Sequence, residues 1–70
     1  MDRVTLKKIE SFFKQKFKNK KIKIEGRVNK NDSAEVLIDD EFIGVVFEDN
    51  EDGETCYQFN MMILNEDLNN

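Results

Sequence analysis

The 70 residues contain no histidine, and so lack the usual general base at neutral pH and the commonest transition-metal ligand. Cys56 is the single cysteine. No imidazole is present to activate its thiol, and its place in an alternating run reads as a small packing side chain. Adjacent carboxylates stand at Asp39-Asp40, but in a turn, where water rather than substrate surrounds them. No glycine-rich phosphate loop is present. No nucleophile and base can be paired, so the chain reads as a non-enzyme with no catalytic residues, metal or cofactor.

The acidic run over residues 48–54 invites comparison with a calcium loop. With Gly53 at the sixth place, an EF-hand loop would start at Glu48 and place Asn50 and Asp52 third and fifth. Its twelfth place would then be Phe59, where a bidentate Glu is required, and Phe59 belongs to a strand pattern rather than a helix. A solvated hairpin turn is the better reading. Asp52-Gly53 supplies the turn signal, because glycine takes positive φ without steric cost.

A third chemistry is phosphate binding. Lys14, Lys18, Lys21, Lys23 and Arg27 form a candidate basic surface on a helix and the strand after it. Aromatic side chains for stacking bases are nearly missing from that strand, and the formal net charge is −4. Solvated lysines are favoured over a nucleic-acid interface. The composition, with nine Lys against two Arg, eight Asn and no Pro, resembles the product of an AT-rich genome, which further weakens the lysine signal.

The elements follow from periodicity. Asp2 is placed to cap a helix over about residues 3–18. Leu6, Ile9, Phe13 and Phe17 recur at helical spacing, with Phe12 on the shoulder of the stripe. Lysines crowd the end of this helix, where cations favour its dipole, and Asn19 is suited to the left-handed residue that stops it. Four strands follow, over about 21–28, 34–38, 42–48 and 54–63. In the first, Ile22, Ile24 and Val28 alternate with Lys23, Glu25 and Arg27, and Gly26 interrupts the inner row as a bulge or a close approach of the helix. Residues 29–33 read as a polar turn. Ala34, Val36 and Ile38, then Ile43, Val45 and Phe47, alternate on either side of Asp39-Asp40. A two-residue loop there pairs Ile38 with Glu41, Val36 with Ile43 and Ala34 with Val45, so all six share the inner face. In the last strand Thr55, Tyr57, Phe59, Met61 and Ile63 take the inner parity, with Gln58 and Asn60 outward. Residues 65–70 read as a polar tail with a short turn at Glu66-Asp67-Leu68. The expected fold class is α+β: one small domain over residues 1–70, with the helix packed on a four-stranded antiparallel meander.

All eleven Lys and Arg lie within residues 1–30 beside three acids, a net of +8, whereas residues 31–70 carry twelve acids and no base. Two such halves attract one another in a compact fold. No apolar run is long enough to cross a membrane, and the first residues lack a signal-peptide pattern. A reduced, cytoplasmic protein is expected.

The runs Asp32-Ser33-Ala34-Glu35-Val36, Asp40-Glu41-Phe42-Ile43-Gly44-Val45-Val46-Phe47, Glu51-Asp52-Gly53-Glu54 and Tyr57-Gln58-Phe59-Asn60-Met61, with Ile63-Leu64 and the helical Phe12-Phe13-Lys14 and Phe17, resemble the domain-of-unknown-function 3126 family of small bacterial proteins. The resemblance covers nearly the whole chain. It implies a small α+β cytoplasmic protein and brings no catalytic or binding residues.

The residues themselves point to an interaction surface. The expected register places Leu37 opposite Phe42 on the second sheet face, with Gly44, Val46, Cys56 and Met62 on the same side. A single helix covers only one face of such a sheet. Leu37, Phe42, Val46 and Met62 are therefore the candidate interaction face, for a homodimer or an unidentified protein partner.

Overall fold

The computed structural model describes residues 1–51 and 53–69. It contains a helix α1 (Arg3–Lys16), four strands β1 (Ile22–Arg27), β2 (Lys30–Ile38), β3 (Glu41–Asp49) and β4 (Cys56–Asn60), and a short helix α2 (Asn65–Leu68). The strands form one antiparallel sheet in the order β1-β2-β3-β4. This is the α+β meander that the alternating runs predict.

α1 begins where the Asp2 side chain accepts a hydrogen bond from the Thr5 backbone N–H at 2.7 Å. That contact satisfies one of the free amides of the first turn and holds the Asp2 carboxyl below its ordinary value. Ile9 and Phe13 are buried and Leu6 is half-buried against them. Phe17, expected on the same stripe, is 55% exposed, because the helix stops at Lys16 and Phe17 caps it. The stop is made by Lys18 (φ 52), not by Asn19. Asn19 N–H reaches back to Lys14 O at 3.1 Å, the six-to-one bond of a Schellman ending, while the Asn19 side chain accepts from Lys21 N–H at 2.8 Å.

β1 and β2 are joined through a tight turn at Val28-Asn29, where Asn29 has φ 62. Val28 is consequently 86% exposed rather than inward, and residues 30–33, expected in a turn, belong to β2. The register shifts between Gly26 and Arg27, so the glycine does mark a bulge. The Leu6 side chain also lies 3.5 Å from where a Gly26 Cβ would stand. Ser33, buried, accepts a hydrogen bond from the Arg27 guanidinium at 3.2 Å.

The β2–β3 turn is Asp39-Asp40, both at positive φ (54 and 67) as a type I′ turn requires, and Ile38 pairs with Glu41 as expected. Beyond that first pair the register departs from a plain alternation. Leu37 pairs with Phe42 and Val36 with Gly44, leaving Ile43 as the extra residue of a β-bulge. The bulge reverses the parity of everything after it. Val46 pairs with Ala34 and is 1% exposed on the inner face, whereas Val45 and Phe47 turn to the outer face. The core is therefore Ile9, Phe13, Ile22, Ile24, Ala34, Val36 and Val46.

β4 pairs Val46 with Phe59 and Phe47 with Gln58. Phe59 stands on the helix side, its ring 5.4 Å from Phe13 in an edge-to-face contact. Gly44 is what lets β4 lie so close. A Cβ there would stand 2.4 Å from Asn60 O and 2.7 Å from the Phe59 ring. The last strand is shorter than its alternation suggests. It ends at Asn60, and Met61 (53%) and Ile63 (61%) are exposed rather than inward. Gly53 has φ 78, as its turn requires; its expected companion Asp52 lies outside the described residues, as does Asn70 at the end of the tail.

Candidate functional site

The helix sits over β1 and the near part of β2, and it does not reach across the sheet. Two apolar surfaces are left uncovered, one on each side of the β3–β4 half.

The first is the outer face. Leu37 and Phe42 are directly paired, and Phe42 is 55% exposed. Phe42, Val45, Phe47, Met61 and Met62 line a shallow cavity of ≈ 450 Å³. Three of the four residues expected on this face, Leu37, Phe42 and Met62, are placed there. The fourth, Val46, is not: the bulge at Ile43 turns it into the core, and Val45 and Phe47 stand in its place. Gly44 carried the signal for that exchange, since a glycine inside a strand pattern marks a bulge or a close backbone approach, and here it accompanies both. Cys56, read as a packing residue, is free and exposed on β4, opposite Asp49.

The second surface lies on the helix side. Thr5, Lys8, Ile9, Phe12, Phe13, Val46, Tyr57 and Phe59 enclose a cleft of ≈ 440 Å³ between α1 and β4. Its walls are aromatic, and Phe12 and Tyr57 remain 57% and 42% exposed. The helical spacing put Ile9 and Phe13 in the core with Phe12 on the shoulder of their stripe, and strand alternation turned Tyr57 and Phe59 inward; the cleft exists because the helix is offset toward β1.

The candidate basic residues are largely engaged within the chain. Lys14 pairs with Glu10 at 3.2 Å, Lys21 with Asp39 at 4.0 Å and Lys23 with Asp40 at 3.4 Å, and Arg27 donates to Ser33. Lys18 is used as the left-handed helix stop. The basic first half and the acidic turn thus meet at the β1–β2 edge. The two pairs with the turn aspartates are exposed, each contributing only about 0–1 kcal/mol, but with the part-buried Lys14–Glu10 pair they orient the lysines toward carboxylates rather than toward a groove for phosphates.

Glu10 does more than balance charge, and its role was not read from the sequence. Its Oε1 accepts from the Ile24 N–H at 2.9 Å while Oε2 accepts from Lys14. Ile24 lies on β1, the sheet edge, whose outward amides would otherwise be open to another strand. Burial opposes the charged form of Glu10, but the Ile24 amide and then Lys14 outweigh it and hold the carboxyl below its ordinary value. The available signal was the position: Glu10 is flanked by Leu6 and Phe13 on the buried side of the helix, an unfavourable place for an acid without a partner.

The acidic turn is organised by its own hydrogen bonds. Asn50 Nδ2 donates to Glu48 Oε2 at 3.2 Å, Glu51 N–H to Asp49 Oδ1 at 2.9 Å, Gln58 Nε2 to Asp49 Oδ2 at 2.9 Å and Thr55 Oγ1 to Asn50 Oδ1 at 2.7 Å. Among the described residues no group of three or more Cys, Asp or Glu is disposed to hold a metal ion. None of their helices is long and apolar enough to cross a membrane.

Fold and surfaces together define a small α+β protein, a helix set on an antiparallel meander with uncovered apolar ground at one end of the sheet. The chain belongs to the family of proteins of unknown function DUF3126, whose sequence model matches residues 5–67. The resemblance carried by the strand segments is thereby established. Comparison with curated proteins returns no match, and neither does comparison with solved structures.

Proposed function

We propose that this chain is a non-enzymatic protein-interaction module that pairs through its outer sheet face. The observation that carries the reading is the directly paired Leu37 and Phe42, with Phe42 more than half exposed and joined by Val45, Phe47 and Met62 around one cavity. Single exposed apolar residues are ordinary on protein surfaces. A contiguous group built around an aromatic anchor has the make-up of an interface centre. A second copy of the chain is the simplest partner, since a two-fold axis through the face brings like surfaces together. The free thiol of Cys56 suits a reducing compartment, and the cytoplasm is the proposed location.

A nucleic-acid adaptor using Lys14, Lys18, Lys21, Lys23 and Arg27 is the weaker reading, because four of those five side chains already contact groups of their own chain. Sedimentation of the native chain and of Phe42→Lys tests the proposal. It predicts concentration-dependent association of the native chain that the lysine substitution weakens at least about tenfold. Monomer throughout, with no protein retained on a column bearing the native chain but not on one bearing Phe42→Lys, contradicts it.

A further inference from the structure

The segment after β4 is as unpartnered as the sheet beside it. Met62, Ile63, Leu64 and Leu68 are 78%, 61%, 49% and 71% exposed. The chain measures 42 × 24 × 23 Å with a radius of gyration of 13.0 Å, whereas a compact chain of this length reaches only about 11 Å. This arm pairs an apolar stretch with acidic residues, Glu66 and Asp67, in the first turn of α2. The cleft between α1 and β4 has the complementary character: an aromatic interior of Phe12, Phe13, Tyr57 and Phe59, with Lys8 on its wall. Phe12 and Lys8 also border a neighbouring hollow on the helix, shared with Arg3 and Lys7, so the positive charge continues past the cleft.

The arm does not occupy the cleft of its own chain. Met61 and Met62 lie against Phe42 and Phe47 on the outer face, so the arm leaves on the side of the sheet opposite the cleft. We propose that two copies of the chain exchange arms: Ile63, Leu64 and Leu68 of each enter the cleft of the other, and Glu66 and Asp67 meet Lys8. The exchange is reciprocal, so a two-fold axis closes it. At roughly 80 Å² removed from water per aliphatic side chain, the two arms and the cleft walls they cover bury about 1,000 Å² in all, at the threshold for a specific interface. The predicted dimer is accordingly weak and salt-sensitive.

This contact uses ground on the other side of the sheet from the outer face, so the two readings fail separately. The test is made on the full chain carrying Phe42→Lys, which removes outer-face pairing. Into it go either Leu64→Asp with Leu68→Asp, which spoil the arm, or Phe12→Asp, which spoils the cleft. All three positions are substantially exposed, and circular dichroism checks that each variant is folded.

Sedimentation equilibrium should give a dimer for the parent and a dissociation constant raised at least about tenfold for each variant alone. An equimolar mixture of arm and cleft variants should recover association, because one intact arm then meets one intact cleft. Lys8→Glu should weaken the dimer, and Glu66→Lys with Asp67→Lys should restore it. A parent that remains monomeric at millimolar concentration overturns the exchange, as does a dimer indifferent to the arm substitutions or a mixture no tighter than its components. The outer-face reading is decided separately, by whether Phe42→Lys weakens the association that remains in the chain carrying Leu64→Asp and Leu68→Asp.

Discussion

The two ends of the sheet are built to different standards. At the β1–β2 end, Ile22, Ile24, Ala34 and Val36 are closed over by Ile9 and Phe13, the open edge of β1 is latched by Glu10, and the turn aspartates receive Lys21 and Lys23. At the β3–β4 end, Val46 is the one buried hydrophobic side chain among the described residues, Phe59 touches the helix only at Phe13 with a cleft beside it, and the opposite face is lined by exposed Phe42, Phe47 and Met62. The same periodic patterning produced both ends. The difference is coverage: one helix of 14 residues spans two strands, not four. The first end is a finished core, and the second reads as half of an interface.

The largest expected contrast comes from truncating one residue at each end. Ile22→Ala should cost about 2–5 kcal/mol, the range for opening a cavity under a buried side chain. Phe42→Ser should change the stability of the monomer by no more than about 0.5 kcal/mol. Urea unfolding at a concentration that excludes association measures both, and comparable losses would break the distinction.

Gly44→Ala tests the seam between the two ends. Its new Cβ meets the Asn60 carbonyl, so about 1–3 kcal/mol of overpacking is expected. The strain falls on β4 rather than on the core. Tyr57, the single tyrosine in a chain without tryptophan, reports it. Its fluorescence transition should precede the loss of far-ultraviolet dichroism in the variant.

Glu10→Gln should cost about 1–2 kcal/mol near neutral pH by weakening the charged hydrogen bond that closes the β1 edge. Because the carboxyl titrates lower in the folded chain than its ordinary 4.5, its contribution is complete above that value and is lost as pH falls through the folded pKa. The native chain should therefore lose stability on acidification more steeply than Glu10→Gln. The slope left in the variant includes that of Asp2, whose shift has the same sign. The smallest effect is a gain: Lys18→Gly relieves a left-handed residue and should stabilise the chain by up to about 1 kcal/mol, read as a raised melting temperature.

Much of the fold was legible because two-residue turns leave little freedom. Asp39-Asp40 fixed the β2–β3 hairpin and the pairing of Ile38 with Glu41, and the helical aromatics located α1. The candidate site was less legible for a physical reason. Ile43, Val45 and Phe47 make as plausible an inner row as Gly44 and Val46, and local alternation cannot tell which side of a bulge a residue occupies. Only the close packing of Phe59 and Asn60 on Gly44 decides it. In the same way, the run from Tyr57 to Ile63 alternates like a strand throughout, yet the β3–β4 pairing ends at Val45 and Asn60, next to the bulge at Ile43, although β3 continues to Glu41. The offset of α1 and the latch at Glu10 are long-range arrangements that single-element periodicity does not encode.

Amide hydrogen exchange across a concentration series tests the unfinished end most directly. If that end is an interface, protection in β4 (Cys56–Asn60) and at Val45 and Phe47 is weak in dilute solution and rises with protein concentration, while Lys23, Val36 and Leu37, whose amides face a neighbouring strand, stay strongly protected throughout. Equal and concentration-independent protection at both ends would mean that the sheet is complete in the single chain, and the interface would have no basis.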